Sequence, residues 1–350
     1  MKFDDNLFMK RCLELASKGV GITSPNPMVG AVIVLNNEII GEGYHKKYGD
    51  NHAEVNAINS VKNKSLLKKA TLYINLEPCN HHGKTPPCTD LIIKKKIPKV
   101  VIGTYDPNPR VSGRGIRKLK ENKIDVTINV LEYECKKLNK RFFCYQKNKR
   151  PYVILKWAES KDGFIAPNNQ KKEEIYWISE FESRKLAHKW RSEEDSIVVG
   201  INTILSDNPE LTNRYHKGKS AIPLIIDPNN KLKNNSKVLK KHSKIFHLID
   251  LKINNHKNYS SKINYEDGVK SILDYAHKKY INSMLVEGGA KTINFFLESN
   301  LWDEARVFRG GKNIKSGIKA PSSYNLNLIT TEKIGKDRLT YYSNEPENKL

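Results

Sequence analysis

The tripeptide HAE at residues 52–54 and the segment PCNHHGKTPPC at residues 78–88 decide the predicted fold of the first half of this chain. One imidazole and two thiolates form a three-ligand tetrahedral zinc site that leaves the fourth position open to water. In zinc deaminases, a glutamate close after the histidine does not bind the metal but moves protons between the water and the leaving amine. The pattern therefore predicts hydrolytic deamination, with His52, Cys79 and Cys88 as zinc ligands and Glu54 as the proton shuttle.

Predicted helices and strands place these residues at the ends of buried elements. Residues 53–61 have the apolar spacing of a half-buried helix, so the histidine and the glutamate lie at its N-terminal end, where the helix dipole favours negative charge. Residues 71–76 read as a strand that delivers Cys79 at its carboxyl end, a usual place for active sites in open α/β sheets. Cys88 follows two prolines near the first turn of a helix, which stabilises a thiolate.

The loop between the two cysteines differs from that of the nucleobase deaminases. Eight residues separate Cys79 and Cys88, whereas the nucleobase signature is PC-x-x-C, so a longer polar loop shapes a different pocket. Together with PNPMVG at residues 25–30 and HAEV at residues 52–55, the segment resembles the deaminase half of the bifunctional riboflavin-biosynthesis enzyme family. The resemblance implies the same zinc ligands and proton shuttle, and it implies that Asn26 hydrogen-bonds the pyrimidine of the substrate.

Other interpretations of the zinc pattern stay open. His81 and His82 can be read as additional ligands, although three ligands complete the site and substrate or loop contacts fit better. A structural zinc site would normally have four protein ligands and would leave Glu54 without a role. A nucleic-acid (tRNA) base deaminase with an accessory domain is the alternative function, favoured by the net charge of +23 but not by the cysteine spacing.

Composition indicates two domains and is compatible with an enzyme. The 350 residues suffice for two cores, and 38% hydrophobic content suits a globular protein. The lysines are dispersed without interleaved aromatic residues, so we predict no nucleic-acid partner. A phosphorylated substrate and a phosphorylated cofactor would both benefit from a positive field, so the charge is compatible with an enzyme. No apolar run approaches the ~20 residues that span a bilayer, and the amphipathic N-terminus is not a signal peptide. We predict no membrane association and a cytoplasmic location, with which a homo-oligomer is compatible.

Alternating predicted strands and helices indicate an α/β fold with crossover connections. The pattern runs from residue 5 to about residue 130 and restarts at residue 152. We place the domain boundary near residue 148, within the basic stretch 139–151, which gives a cytidine-deaminase-like αβα domain over 1–148 and a second α/β domain over 149–350. Residues 229–265 have weak periodicity and are predicted to contain long surface loops, and the tail after Gly310 receives no function. Three scattered cysteines are predicted to be buried or free thiols: Cys12, Cys135 and Cys144.

In the second half, Glu287-Gly288-Gly289 lies where a strand gives way to a helix. Glycines there let backbone N–H groups approach a phosphate, but a GG pair alone is more often just a turn, and it is not a GxGxxG fingerprint. With KWAESKDG at 156–163, WIS at 177–179 and LTNR at 211–214, it resembles the reductase half of the same family. That half has a dihydrofolate-reductase-like fold and uses NADPH, and the resemblance covers roughly residues 5–310.

The resemblance implies roles for individual residues of the second half. The implied NADPH contacts are Ala158, Trp177, Thr203, Asp207, Pro228, Gly289, Ala290, Lys291, Thr292, Ile293, Asn294 and Phe295. The implied substrate contacts are Ile175, Arg191, Leu211, Arg214 and Glu287. The guanidinium groups suit a terminal phosphate. Lys156 is the candidate catalytic acid or electrostatic partner at the ribose carbon that receives hydride, with a solvated lysine as the alternative, and Trp177 can equally be core packing. At residue 175 the family often has a polar side chain, so that contact is made by backbone or is absent.

Overall fold

The computed structural model describes residues 4–83, 86–109, 111–168, 173–174, 176–254, 257, 259–321 and 326–344. The chain divides into two compact units, one that ends at Asn148 and one that begins at Lys149. Each unit is built on its own sheet. Within the described residues, no helix is long and apolar enough to cross a membrane.

The first unit is a sheet with helices on both faces. Its elements are α1 (Asp5–Ser17), β1 (Gly30–Leu35), β2 (Glu38–Tyr44), α2 (Ala53–Ser60), a 3-10 helix (Lys64–Lys69), β3 (Thr71–Ile74), α3 (Cys88–Lys94), β4 (Lys99–Ile102), α4 (Arg114–Glu121), β5 (Asp125–Thr127), α5 (Glu132–Leu138) and α6 (Lys140–Asn148). The strand order is β2-β1-β3-β4-β5. Strand β1 is antiparallel to β2 and β3, whereas β3, β4 and β5 are parallel.

Alternating side chains of the central strands fill two separate cores in the first unit. Ile33 and Leu72 belong to the cluster that includes buried residues of α2, α3 and α4. Their neighbours Val32 and Tyr73 pack with Met9 of α1 on the other face. Because successive strand residues point to opposite faces, these short apolar strands are covered on both sides and become the rigid centre of the unit.

Close packing between β2 and α2 fixes the start of α2, where the predicted zinc ligand His52 lies. A Cβ atom at Gly43 would collide with the backbone nitrogen of Ala57. A side chain at this position would therefore push the helix away from the strand. The glycine allows the backbone of α2 to rest directly on β2.

The second unit is a larger, mostly parallel sheet. Its elements are β6 (Tyr152–Glu159), β7 (Phe164–Pro167), α7 (Phe181–Glu193), β8 (Ser196–Gly200), α8 (Ile201–Asp207), β9 (Ile222–Ile226), α9 (Lys237–Lys241), β10 (Phe246–Asp250), β11 (Ser260–Ile263), a 3-10 helix (Tyr265–Asp267), α10 (Val269–Lys278), β12 (Ser283–Gly288), α11 (Ala290–Ser299), β13 (Glu304–Arg309), β14 (Gly317–Lys319), β15 (Asn327–Ile334) and β16 (Asp337–Ser343). The strand order is β11-β10-β9-β8-β12-β6-β13-β16-β15, and β7 pairs with β14.

Strands from β11 to β13 in that order run parallel, so their carboxyl ends share one edge of the sheet. Strand β16 is antiparallel to β13 and to β15. Val198 of β8 packs in one core with residues of α10 and α11, while its neighbours Ile197 and Val199 pack in the other with residues of α8 and α9. Because both faces are covered, the carboxyl edge is where loops with polar side chains gather.

Three stretches contain helices or strands that the sequence patterns did not indicate. The basic boundary stretch contains α6, whose Phe142 and Phe143 are buried, so most of it is an integral helix of the first unit. Residues 229–265, predicted to contain long loops, also hold α9 and β11. The tail after Gly310 continues the sheet as β15 and β16. These elements are short or depend on pairing with a neighbouring strand, so their sequences carry little periodicity of their own.

We predict that Gly43→Ala destabilises the first unit by about 1–3 kcal/mol, because the added methyl group collides with the backbone of α2. The midpoint of urea unfolding of the purified chain should fall accordingly. Gly311→Ala is the control, since its Cβ would meet no atom within 4 Å and the midpoint should not move. Equal midpoints for both variants would show that α2 does not rest on β2 as described.

Candidate active sites

Three ligand atoms meet at the edge of the first sheet where α2 and α3 begin. His52 immediately precedes α2, Cys79 follows β3, and Cys88 is the first residue of α3. The Nδ1 atom of His52 lies 3.3 Å from Sγ of Cys88 and 3.6 Å from Sγ of Cys79. All three ligand atoms lie within 4.8 Å of one another. The structure thus brings together the three predicted zinc ligands, which span 36 positions of the sequence.

The spacing of these atoms fits a tetrahedral zinc ion. Zn–N and Zn–S bonds of about 2.05 and 2.3 Å at a tetrahedral angle separate nitrogen from sulfur by about 3.6 Å. The measured separations of 3.3 and 3.6 Å match that value. His81 and His82 are exposed and lie outside this cluster of described residues. Three protein ligands leave a coordination position for water, as a catalytic site requires and a structural site does not.

The two thiols differ in how readily they lose a proton. Hydrogen bonds from Cys88 and from His52 lower the pKa of Cys79 to about 4. The backbone N–H of Cys88 also donates to Sγ of Cys79 at 3.3 Å. The hydrogen bond with Cys79 and burial raise the pKa of Cys88, so the pair holds one proton between them, and a cation at this position would displace it.

Glu54 is buried in the first turn of α2, where its carboxyl group interacts with Cys88. Its side chain is 3% exposed, and burial raises the pKa of the carboxyl group above the ordinary value. A carboxylate that binds protons more readily suits a group that must accept and release them during one reaction. The predicted proton shuttle therefore lies beside the three predicted zinc ligands.

Asn26 lies beside the same centre through a histidine that sequence patterns did not single out. Its Nδ2 atom is 3.1 Å from Nε2 of His45, and Nδ1 of His45 is 3.1 Å from the carbonyl oxygen of Asn51. The rings of His45 and His52 meet edge to face with centroids 5.5 Å apart. The position of His45 just after β2 was the available signal, because the ends of strands collect polar site residues.

Glu77 and Asp106 also lie in this region without having been predicted. The Glu77 carboxylate accepts backbone N–H groups from Gly113 at 2.9 Å and Gly115 at 3.0 Å, which holds the start of α4 against the turn before Cys79. Burial raises the pKa of Asp106 to about 7. A glutamate placed directly between a buried strand and a cysteine was the signal in the sequence.

In the second unit, a buried carboxylate joins two of the predicted site cations. Nε and Nη2 of Arg191 each lie 2.7 Å from an oxygen of Glu287, and Nζ of Lys156 lies 3.5 Å from Oε2 of the same group. The three side chains come from β6, α7 and β12 and are 7–16% exposed. The two cations hold the pKa of Glu287 at about 2 against the effect of burial. Lys156 is therefore not a solvated lysine.

A bulge in β12 directs Glu287 toward these partners. Val286 pairs with Val198 of β8 and Gly288 pairs with Val199, so Glu287 is the additional residue on its strand. Bulges bend a strand and redirect side chains, often next to active sites.

The two predicted phosphate-binding arginines differ in how many of their guanidinium N–H groups already bond within the protein. Besides its two bonds to Glu287, Arg191 donates from Nη1 to the carbonyl oxygen of Thr212 at 3.2 Å. Three of the five N–H donors of its guanidinium are therefore used within the protein. The side chain of Arg214, by contrast, is 41% exposed, and its nearest carboxylate oxygen belongs to Glu210 at 3.5 Å.

The absence of a side chain at two glycines lets the predicted cofactor-binding segments that follow β8 and β12 lie close together. A Cβ at Gly200 would collide with Oγ1 of Thr292, and one at Gly289 would lie 3.1 Å from Oγ1 of Thr203. Gly289 has a φ of 48° and immediately precedes α11, whose first N–H groups lack helical partners. These two strand ends thus expose backbone to an anionic ligand at a helix N-terminus.

The remaining predicted residues are distributed around this edge. Trp177 is 40% exposed with the Arg184 guanidinium 4.3 Å from its ring centroid, so it is not core packing. Ile293 is buried in the core, which leaves its backbone alone for a ligand. Burial raises the pKa of Asp207 at the end of α8. The other predicted positions are Ala158 near the end of β6, Pro228 after β9, and Ala290, Lys291, Asn294 and Phe295 in α11. Ile175 lies outside the described residues.

Residues 151–337 match the family described as "RibD C-terminal domain", and residues 2–104 match the "Cytidine and deoxycytidylate deaminase zinc-binding region". The riboflavin biosynthesis protein RibD of Aquifex aeolicus is 38% identical over 353 residues, covering 97% of this chain and 98% of the relative. The chain belongs to the RibD family. The Escherichia coli RibD protein is 32% identical over 342 residues, with 90% of each chain covered.

A solved structure supports the same assignment over the whole fold. The Thermotoga maritima protein described as a diaminohydroxyphosphoribosylaminopyrimidine deaminase/5-amino-6-(5-phosphoribosylamino)uracil reductase superposes with a TM-score of 0.88 at 37% identity, covering 97% of this chain and 98% of that one. These matches confirm the predicted family, the α/β fold with a deaminase-like domain followed by a reductase domain, and the cofactors Zn²⁺ and NADPH. They favour the bifunctional enzyme of riboflavin biosynthesis over a nucleic-acid deaminase.

We predict that the purified chain carries stoichiometric zinc and that His52→Ala or Cys88→Ala removes most of it, because two ligands rarely hold the ion. Metal content after dialysis, measured by atomic emission, checks this. His82→Ala is the matched control and should keep its zinc, since His82 is exposed and outside the cluster. Loss of zinc in the control would mean that the loop histidine binds the metal.

We predict that Glu287→Gln lowers the free energy of unfolding of the second unit by about 3 kcal/mol at neutral pH, because two partly buried cations lose their carboxylate. The pKa of Glu287 is about 2 in the folded chain and 4.5 ordinarily. The ion pair therefore stabilises the fold fully above pH 4.5, and this stabilisation is lost as the pH falls toward 2. The difference in unfolding free energy between variant and wild type, measured by urea unfolding, should shrink as the pH falls from 4.5 to about 2. A difference that grows toward acid pH would contradict the ion pair.

Proposed function

We propose that the chain catalyses two successive steps of riboflavin biosynthesis at separate sites. The first is hydrolytic deamination of 2,5-diamino-6-(5-phosphoribosylamino)pyrimidin-4(3H)-one, and the second is reduction of the ribosyl chain to the ribityl chain. The observation that carries the proposal is the cluster of His52, Cys79 and Cys88, with ligand atoms within 4.8 Å of one another, beside buried Glu54, in a chain whose second half matches the RibD C-terminal domain.

In the deaminase site, this chain's own residues orient the substrate and move protons. His52, Cys79 and Cys88 hold the zinc ion, which when bound acts as a Lewis acid toward water. The Glu54 carboxylate accepts one proton of the attacking water and delivers it to a ring nitrogen; it then accepts the hydroxyl proton of the resulting substrate adduct and delivers it to the departing amine. Asn26, held by His45 at 3.1 Å, supplies an amide that hydrogen-bonds the pyrimidine edge.

In the reductase site, charged residues hold the ribose phosphate in place. NADPH when bound supplies the hydride. Lys156 places an ammonium group at the ribose carbon that is reduced, and Glu287 fixes that ammonium and the Arg191 guanidinium. Because three of the five N–H donors of Arg191 are used within the protein, the partly exposed Arg214 binds the terminal phosphate through its guanidinium.

The cofactor lies against the carboxyl edge of the second sheet in this proposal. Thr203 and the segment from Gly289 to Phe295 line the cofactor. Gly289, the first residue of this segment, leaves the backbone N–H groups at the N-terminus of α11 accessible. The other positions that surround it are Ala158, Trp177, Asp207 and Pro228.

Residues 1–148 act as the deaminase and residues 149–350 as the reductase. This division is supported by the matched family regions, which fall on either side of Asn148, where the two compact units divide. We also place the enzyme in the cytoplasm, where the thiols of the zinc site stay reduced. A homo-oligomer and the absence of a nucleic-acid partner stay predictions.

We predict that Glu54→Gln lowers the rate of ammonia release at least about 1,000-fold, because the amide cannot shuttle protons. The same variant should oxidise NADPH with pre-deaminated substrate at a rate within about twofold of wild type, since the two sites share no residue. Lys156→Met should show the reverse behaviour. Glu14→Gln, on the exposed face of α1, is the matched control and should affect neither signal. Loss of both activities in a folded Glu54→Gln protein would overturn the assignment of two independent sites.

A further inference from the structure

One face of α7 contacts the loop between α8 and β9 (residues 208–221), which contains Arg214. His188, Arg191 and Ser192 are spaced so that they share this face, and each contacts a different residue of the loop. Nδ1 of His188 accepts the backbone N–H of Arg214 at 2.9 Å. Nη1 of Arg191 donates to the carbonyl oxygen of Thr212 at 3.2 Å. Oγ of Ser192 lies 3.1 Å from Nδ1 of His216.

The contact from His188 is the one that acts on Arg214 itself. His188 is 4% exposed, and its ring meets the ring of Tyr215 edge to face with centroids 4.6 Å apart. The imidazole is therefore held by its surroundings, and its Nδ1 lone pair points at one backbone N–H group. This bond fixes the main chain at the residue whose guanidinium is proposed to bind phosphate.

The backbone conformation of this loop is unfavourable on its own and requires contacts from other parts of the chain to stabilise it. Leu211, three residues before Arg214, has a φ of 55° and a buried side chain. This region of φ is unfavourable for leucine, so the surrounding structure must hold the loop in this shape. The bond from His188 is one of these contacts, and the backbone N–H of Asn213, which donates to Oγ of Ser220 at 3.0 Å, makes another.

The acceptor role requires a neutral imidazole. An N–H donor can bond to Nδ1 only where that nitrogen carries no proton. Burial, followed by the positive charge of Arg191, lowers the pKa of His188 to about 4, so the ring is neutral at physiological pH. A cationic side chain here would repel Arg191 and lose the bond to Arg214.

We propose that His188 is a positioning residue for reductase substrate binding, which holds the backbone of Arg214 so that its guanidinium binds the terminal phosphate. This role rests on the proposed function, in which Arg214 contacts the substrate. His188 acts through Arg214 and not on the reacting atoms, so its loss weakens binding of the phosphorylated substrate without changing hydride transfer.

The test compares two substitutions of the same branched shape. His188→Asn keeps an acceptor at the δ position, whereas His188→Leu removes it and leaves the Arg214 N–H unpaired. We expect His188→Leu to raise KM for the deaminated, phosphorylated substrate about tenfold, with kcat and the dissociation constant of NADPH within about twofold of wild type. His188→Asn should recover most of the wild-type KM. If the leucine variant does not fold, His188→Gln, whose acceptor sits at the ε position, should show the raised KM instead.

A double-mutant cycle separates this role from a general structural one. In an Arg214→Met background, His188→Leu should change KM less than about twofold, because the group it positions is absent. A tenfold effect that persists in that background, a lower kcat at unchanged KM, or an asparagine variant as impaired as leucine would overturn the role. A wild-type chain that does not oxidise NADPH with this substrate would overturn the proposed function itself, and this role with it.

Discussion

Both sites depend on one constraint, which is that a buried strand ends and a helix begins at the same edge of a sheet. The last backbone groups of a strand and the first N–H groups of a helix have no partners within their own element, so they are available to ligands. In the first unit this edge carries Cys79 after β3 and Cys88 at the start of α3. In the second it carries Gly200 and Gly289 before α8 and α11.

Charge balance then decides which polar groups can be buried at these edges. Glu287 is tolerated because Arg191 and Lys156 neutralise it, and the bulge in β12 brings it to them. Removal of the carboxylate would leave two partly buried cations without compensation, which is costly where water is largely excluded. In the first unit, hydrogen bonds from Cys88 and His52 lower the pKa of Cys79, whereas the hydrogen bond with Cys79 and burial raise the pKa of Cys88.

Local patterns in the sequence were enough to predict part of this arrangement. The strand over 71–76 and the helix over 53–61 were recognisable from apolar spacing, and the zinc ligands followed from residue type and spacing. His45, Glu77 and His188 were not predicted, because each acts through a partner distant in sequence. The use of Arg191 to hold Glu287 was likewise hidden, since an arginine looks the same in sequence whether it binds phosphate or a carboxylate.

The order of the two reactions, deamination before reduction, is best tested by a measurement that follows both reactions at once. Wild-type protein with zinc, the diaminopyrimidinone ribosylamino phosphate and NADPH should release ammonia first and oxidise NADPH after a lag. Without NADPH, ammonia release should continue. NADPH oxidation that precedes ammonia release, or that proceeds equally well when zinc is removed and no deaminated substrate is supplied, would contradict this order of reactions.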